Sequence, residues 1–149
     1  MNLDYGATDE VGRFVCHRTG GTYEPGCSAA IGMRNDAGEL VAGVLFDHYN
    51  GRSIAMHVAG DGGHWMTRQF LRASFRYPFR QLKVNKVIGF VDSANRAARK
   101  LDEHLGFIIE ARLKDAGPQA DLLLMSMTAD QCRYLGDDLG TDESSSTAP

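Results

Sequence analysis

The stretch Ser53 to Arg68, SIAMHVAGDGGHWMTR, brings together residue types that can hold an anion. Its apolar residues alternate at Ile54, Met56 and Val58, as in a strand. The run then breaks into Gly60, Gly62 and Gly63, and a segment with helical spacing follows. Glycine admits positive φ and lets the backbone approach a ligand closely, while the first turn of a helix offers unpaired N–H groups and the positive end of its dipole. A strand, a glycine turn and a helix start in that order can cradle a phosphate. The same turn also serves where the chain needs only a sharp reversal, so the stretch alone leaves both readings open.

Charge along the chain bears on that choice. The net charge is −3, but Asp137, Asp138, Asp142 and Glu143 all lie in the final segment. Between residues 68 and 100 stand Arg68, Arg72, Arg76, Arg80, Lys83, Lys86, Arg96, Arg99 and Lys100 against the single acid Asp92. A cationic segment attracts polyanions, either a phosphorylated small molecule or nucleic acid. The plainer reading of each such residue is a solvated helix face. Trp65, at the helix start, can stack on a ligand or pack into the core, and a tryptophan beside an apolar stripe favours the core. His17, His48, His64 and His104 show no metal-ligand spacing, so no metal is expected. Cys16, Cys27 and Cys132 are widely spaced and odd in number, which fits small buried or half-buried thiols in a reducing compartment better than a disulfide framework.

Positioning these residues falls to one domain. A chain of 149 residues is long enough to bury about two-thirds of its unfolded surface in a single core. No apolar run approaches the roughly 18 residues a membrane span needs, and the N-terminus lacks the pattern of a secretory signal, so a cytoplasmic location is expected. Val11, Phe14 and Val15 predict a short helix, followed by a loop through Gly20, Gly21, Pro25 and Gly26. Residues 27–34, 39–49 and the run from Ser53 predict three strands, joined by the turn Asn35 to Gly38 and by Asn50-Gly51, hence an antiparallel meander. Met66, Phe70, Ala73 and Tyr77 form a helical stripe that Pro78 should end or bend. Residues 85–91 predict a buried strand, and Asp92 or Ser93 can cap a helix carrying Ala94, Ala98, Leu101 and Leu105, closed by Gly106. Residues 107–113 and 122–127 predict a closing hairpin, with a last helical turn over 130–135. The domain is therefore expected over 1–135, with a polar, acidic and disordered tail over 136–149.

The segment from Val91 to Phe107 resembles the late motif of the GNAT superfamily of N-acetyltransferases. In that motif a strand ends in a polar turn, an asparagine opens a helix bearing an alanine and a leucine, and the helix closes in Leu-Gly-Phe. Asn95, Ala98, Leu101 and Leu105-Gly106-Phe107 match it, and the order of elements matches across roughly residues 5–135. The resemblance implies an α+β fold, with a central mixed, mostly antiparallel sheet, a splayed parallel strand pair and flanking helices. It also implies acetyl-CoA as cofactor and transfer of an acetyl group to a primary amine of a small molecule or a protein, in a small enzyme of bacterial or phage type.

Carried onto this chain, Met56 and Val58 would meet the pantetheine arm. Gly62, Gly63, Trp65, Met66, Thr67 and Arg68 would hold the pyrophosphate, with Asn95 contacting the cofactor and Arg99 meeting a phosphate. The backbone N–H near Val58 becomes the oxyanion donor, and His57 on the same strand can take the amine proton directly or through water. The acceptor pocket would form between residues 14–26 and 114–121. Two departures stand out. Asp61 interrupts the phosphate loop, and Asp102 occupies the place where many members carry the tyrosine that reprotonates the thiolate. An ordinary carboxylate is ionised at neutral pH and cannot donate that proton, which leaves the general acid unassigned. The arginine row supports a nucleobase acceptor as one alternative, and Asp102 a non-catalytic CoA-binding module as another. A homodimer is compatible with either.

Overall fold

The computed structural model describes residues 1–136, and the expected tail lies outside them apart from Gly136. Seven strands form one sheet in the order β1-β2-β3-β4-β5-β7-β6. They are β1 (Asn2–Asp4), β2 (Ala29–Arg34), β3 (Leu40–Asp47), β4 (Ser53–Gly60), β5 (Lys86–Asp92), β6 (Ile108–Leu113) and β7 (Leu122–Thr128). Three helices flank it: α1 (Thr8–Thr19), α2 (Arg68–Arg76) and α3 (Arg96–Leu105). The expected α+β architecture is present. All strand pairs are antiparallel except β4 with β5.

The local chemistry accounts for most boundaries. Gly20 and Gly106 adopt positive φ and terminate α1 and α3, a conformation that costs glycine nothing. Gly38 and Gly51 do the same in the two turns of the meander. Thr67 caps α2 by accepting a hydrogen bond from the Phe70 N–H at 3.1 Å. As expected, the α-helical bonding ends just before Pro78, at Arg76. The chain widens into π-type turns over Tyr77–Gln81, where the Leu82 N–H reaches the Tyr77 carbonyl at 3.0 Å, because proline removes one donor and crowds the preceding turn.

Four sequence expectations need correction. The short edge strand β1 has no periodic signal of its own and exists because it pairs with β2, with Asp4 and Glu10 both bound by Arg34. Neither Asp92 nor Ser93 caps α3: Asn95 does, its Oδ1 accepting from the Ala98 N–H at 3.1 Å. Residues 130–135 form turns rather than a helix. Cys27 is exposed, whereas Cys16 is buried and Cys132 half-buried.

Alternation along each strand divides the core between two faces. On one, α1 covers β2, β3 and β4 through Val11, Val15 and Cys16 against Ala30, Leu45 and Ala59. On the other, α2 and the end of α3 cover a larger core that includes Val44, Phe46, Ile54, Met56, Val87, Leu123 and Met125. Phe75 is fully buried there, stacked on Tyr134 with centroids 5.2 Å apart and tilted against Phe107 at 6.2 Å. Phe75→Ala should lower the unfolding free energy by about 3–5 kcal/mol, since neighbours from three separate segments cannot all collapse into the void. Urea titration followed by circular dichroism reads this loss.

Candidate active site

The parallel pair β4 and β5 is short. Ser53 pairs with Lys86, Ile54 with Val87 and Ala55 with Ile88, and beyond these the strands part. Each continues with its other neighbour: β4 along β3 to Gly60, and β5 along β7 to Asp92. The backbone of β4 from Met56 onward therefore presents an edge in the middle of a sheet, where an extended ligand can take up main-chain hydrogen bonds.

This opening runs toward the glycine turn. Trp65 is buried at 5 % exposure, edge-on to Phe70 at 5.9 Å, and its ring lies against Gly60 so closely that a Cβ there would fall 2.3 Å from it. Trp65 thus supports the turn from beneath. Gly62 has positive φ, and both Gly62 and Gly63 face open space. The α2 N-terminus follows, with no acid in its first turn and Arg68 exposed. Asp61 is turned aside: Arg18 at the end of α1 grips its carboxylate with Nε at 2.7 Å and Nη2 at 2.8 Å. That bidentate pair holds the Asp61 carboxyl below the usual range and keeps its charge on the α1 side.

Two titratable groups flank the opening from opposite faces. His57 projects from β4 on the α1 side, where its Nε2 lies 2.9 Å from Asp47 Oδ1, and His48 Nδ1 meets the same oxygen at 2.9 Å. Burial pushes the Asp47 carboxyl up, but the two histidine hydrogen bonds outweigh it and leave it lowered. Asp102 projects from α3 on the α2 side, its Oδ2 3.3 Å from where a Cβ of Gly89 would stand. Burial there raises its pKa to about 7, with the nearby His57 pulling in the opposite direction. Asp102 therefore keeps its proton well above the range of an ordinary carboxylate and holds it in a large share of molecules near pH 7, contrary to the expectation of a fully ionised side chain.

Of the sequence-nominated residues, His57, Val58, Gly62, Gly63, Thr67 and Arg68 line the opening or its glycine end. The Met56 side chain is buried in the core and Met66 packs against it, so any ligand contact from Met56 runs through its backbone. Asn95 caps α3 with its carbonyl oxygen. Arg99, one turn along, lies 3.8 Å from Glu103, and its Nε is buried without a hydrogen-bond partner. Sequence reasoning missed Asp47 and Arg18, whose partners are distant in the chain. Among the described residues no group of three His, Cys, Asp or Glu side chains forms a site for a metal ion, and no helix is long and apolar enough to cross a membrane.

Comparison with known proteins gives a clear result for the fold. No family model matches the chain, and no curated protein matches it by sequence. Among solved structures, a point variant of the spermidine N-acetyltransferase SpeG from Vibrio cholerae is similar over 91% of this chain and 98% of its own, at 18% identity and a TM-score of 0.70. Another mutant form of SpeG, a spermidine/spermine N-acetyltransferase from the same organism, covers 90% of this chain and 96% of its own, at 17% identity and a TM-score of 0.70. The form in complex with CoA and spermine covers 91% and 98%, at 18% identity and 0.65. The chain has the GNAT fold over nearly its whole described length.

The raised pKa of Asp102 has a measurable consequence for stability. In the folded protein this carboxyl keeps its proton up to about pH 7, whereas an unfolded aspartate loses it near pH 4. The unfolded state binds fewer protons between those values, so the group costs stability as pH rises through that window and no further above it. Asp102→Asn should therefore raise Tm by roughly 5 °C at pH 8 and by almost nothing at pH 4. Calorimetry of both proteins across that range tests the sign and the window.

Proposed function

We propose that this protein is an acetyl-CoA-dependent N-acetyltransferase acting on a primary amine. What carries the reading is the juxtaposition of His57 and Asp102 across the one place where β4 and β5 part. Acetyl transfer to an amine needs a base for the ammonium proton and an acid for the leaving thiolate. A protonated carboxyl on one side of the sheet and a carboxylate-held imidazole on the other supply both.

The chain fits the cofactor's chemistry. The free backbone edge of β4 suits the amides of a pantetheine arm. The open glycines, the α2 N-terminus and Arg68 suit a pyrophosphate. Acetyl-CoA would contribute the activated thioester. His57, held by Asp47, accepts the proton that frees the amine lone pair. The backbone N–H near Val58 stabilises the oxygen as charge develops. The new C–N bond forms as the C–S bond breaks, and Asp102 gives its proton to the departing sulfur. Acetyl-CoA is made and used in the cytoplasm, which supports that location.

Within the arginine row that motivated a nucleobase acceptor, Arg76 donates to the Leu135 carbonyl at 2.7 Å and so is engaged within the fold. The reading of a CoA module without chemistry rested on a fully ionised Asp102, and the raised pKa weakens that motive.

Calorimetric titration with acetyl-CoA, paired with detection of released thiol in the presence of an amine panel, tests the proposal. Asp102→Asn and His57→Gln should each lower kcat by about a hundredfold, with acetyl-CoA affinity unchanged. In the wild type, kcat should fall above about pH 7 as Asp102 ionises, and this limb should vanish in Asp102→Asn. Absence of acetyl-CoA binding would defeat the assignment. Arg18→Ala releases Asp61 beside the phosphate cradle and should weaken acetyl-CoA binding by about tenfold. Adding Asp61→Asn to it should restore the affinity, a non-additivity that a purely structural role for Arg18 would not produce.

A further inference from the structure

The α1 face of the sheet is covered only over β2, β3 and β4, leaving β5, β7 and β6 bare on that side. The bare region is apolar. Phe90 is 47 % exposed, Ile108 50 % and Leu113 43 %, with Ile88, Leu122 and Leu124 half-buried around them. Within it lies a cavity of about 110 Å³ bordered by Ile88, Ala111 and Leu124, whose charged members Lys86 and Glu110 pair with each other at 2.8 Å. Register ties this surface to the opening. One step along the same face from the last parallel couple, Ala55 and Ile88, stand His57 on β4 and Phe90 on β5. The imidazole and the exposed phenyl ring therefore flank the gap from its two sides.

Carboxylates around the same face already have partners. Asp47 holds His48 and His57, Asp61 holds Arg18, Glu110 holds Lys86 and Asp121 holds Arg112. Asp92 accepts from the N–H groups of Ala94, Gln119 and Ala120. Glu24 and Asp115 lie on exposed loops rather than on the sheet face. A polyamine, with cations spaced along a flexible chain, needs unpaired carboxylates at matching intervals. Among the described residues of this face Asp92 alone has neither a cation nor a histidine beside its carboxylate, and one such group cannot match the spaced cations of a polyamine.

We infer that the acceptor is a small primary amine carried on an aromatic or branched aliphatic body, which lies on the Phe90 shelf while its nitrogen meets His57. The inference rests on the acetyltransferase reading. It accounts for an apolar surface that would otherwise cost solubility, and it assigns Phe90 as a residue that binds the acceptor without taking part in proton transfer. The acidic segment after Gly136 does not suit the shelf, because Leu139 is its sole large apolar residue.

The test compares phenethylamine with spermidine as acceptors for the full-length protein, following thiol release, beside calorimetric binding of acetyl-CoA. Phenethylamine should be preferred by about tenfold or more in kcat/KM. Phe90→Ser should raise its KM by about tenfold while acetyl-CoA affinity and folding, read by circular dichroism, stay unchanged. Preference for spermidine, equal kinetics in Phe90→Ser, or transfer confined to peptide amines would overturn the inference and leave the acetyltransferase reading intact. So would a stable dimer by light scattering that Phe90→Ser dissociates without changing turnover, since a second copy would then cover the shelf. Acetyl-CoA binding without transfer to any amine would instead sink the acetyltransferase reading itself.

Discussion

Everything in this structure depends on how briefly β4 and β5 remain paired. Three residue couples join two antiparallel half-sheets, and beyond them each strand follows its other neighbour. A parallel contact this short adds little stability as a ladder. Its value is that the two halves are fixed relative to each other by the large core beneath α2, which runs from Val44 and Phe46 across Ile54 and Val87 to Met125. The opening is therefore rigid on both sides, and backbone groups left unpaired on β4 are not free to close the gap by pairing with β5.

That opening also separates two chemical requirements that conflict in a single cavity. A base must stay able to take a proton while an acid must keep one at the same pH. Here the two environments differ because they lie on opposite faces. Asp47, lowered by two imidazole partners, keeps a negative charge next to His57. Asp102 has no cation bound to it, and burial against Gly89 and the α3 packing raises its pKa. One carboxyl is held below the usual carboxylate range and the other above it, decided by what surrounds each.

The phosphate end obeys a related logic. Asp61 sits in the middle of a loop that is otherwise suited to an anion, and a free carboxylate there would repel one. The Arg18 fork, reaching from the opposite face of the sheet, removes most of that repulsion and ties α1 to the glycine turn. Trp65 secures the same turn from the α2 side by lying flat against Gly60, a contact that only a residue without a side chain allows. The glycine turn is thus held from both faces. Similarity to the spermidine enzymes, at 18% identity, is a similarity of fold.

The sequence by itself determined what local chemistry controls. The meander followed from Asn50-Gly51 and the Asn35 to Gly38 turn, the helices from their stripes at Phe70, Ala73, Ala98 and Leu101, and the glycine turn from its own residues, because turns, caps and amphipathic spacing act within a few positions of the chain. It also singled out His57 and the glycine turn as candidates. Only the tertiary structure decided that the Asp102 pKa is raised, that Arg18 pairs with Asp61, that Asp47 meets His57 and that β1 forms at all. Each of these depends on partners ten to more than forty residues away, or on burial that no single segment encodes. Desolvation and long-range pairing are properties of the assembled sheet, and they place a carboxyl of raised pKa on one face of the β4–β5 opening and a carboxylate-bound imidazole on the other.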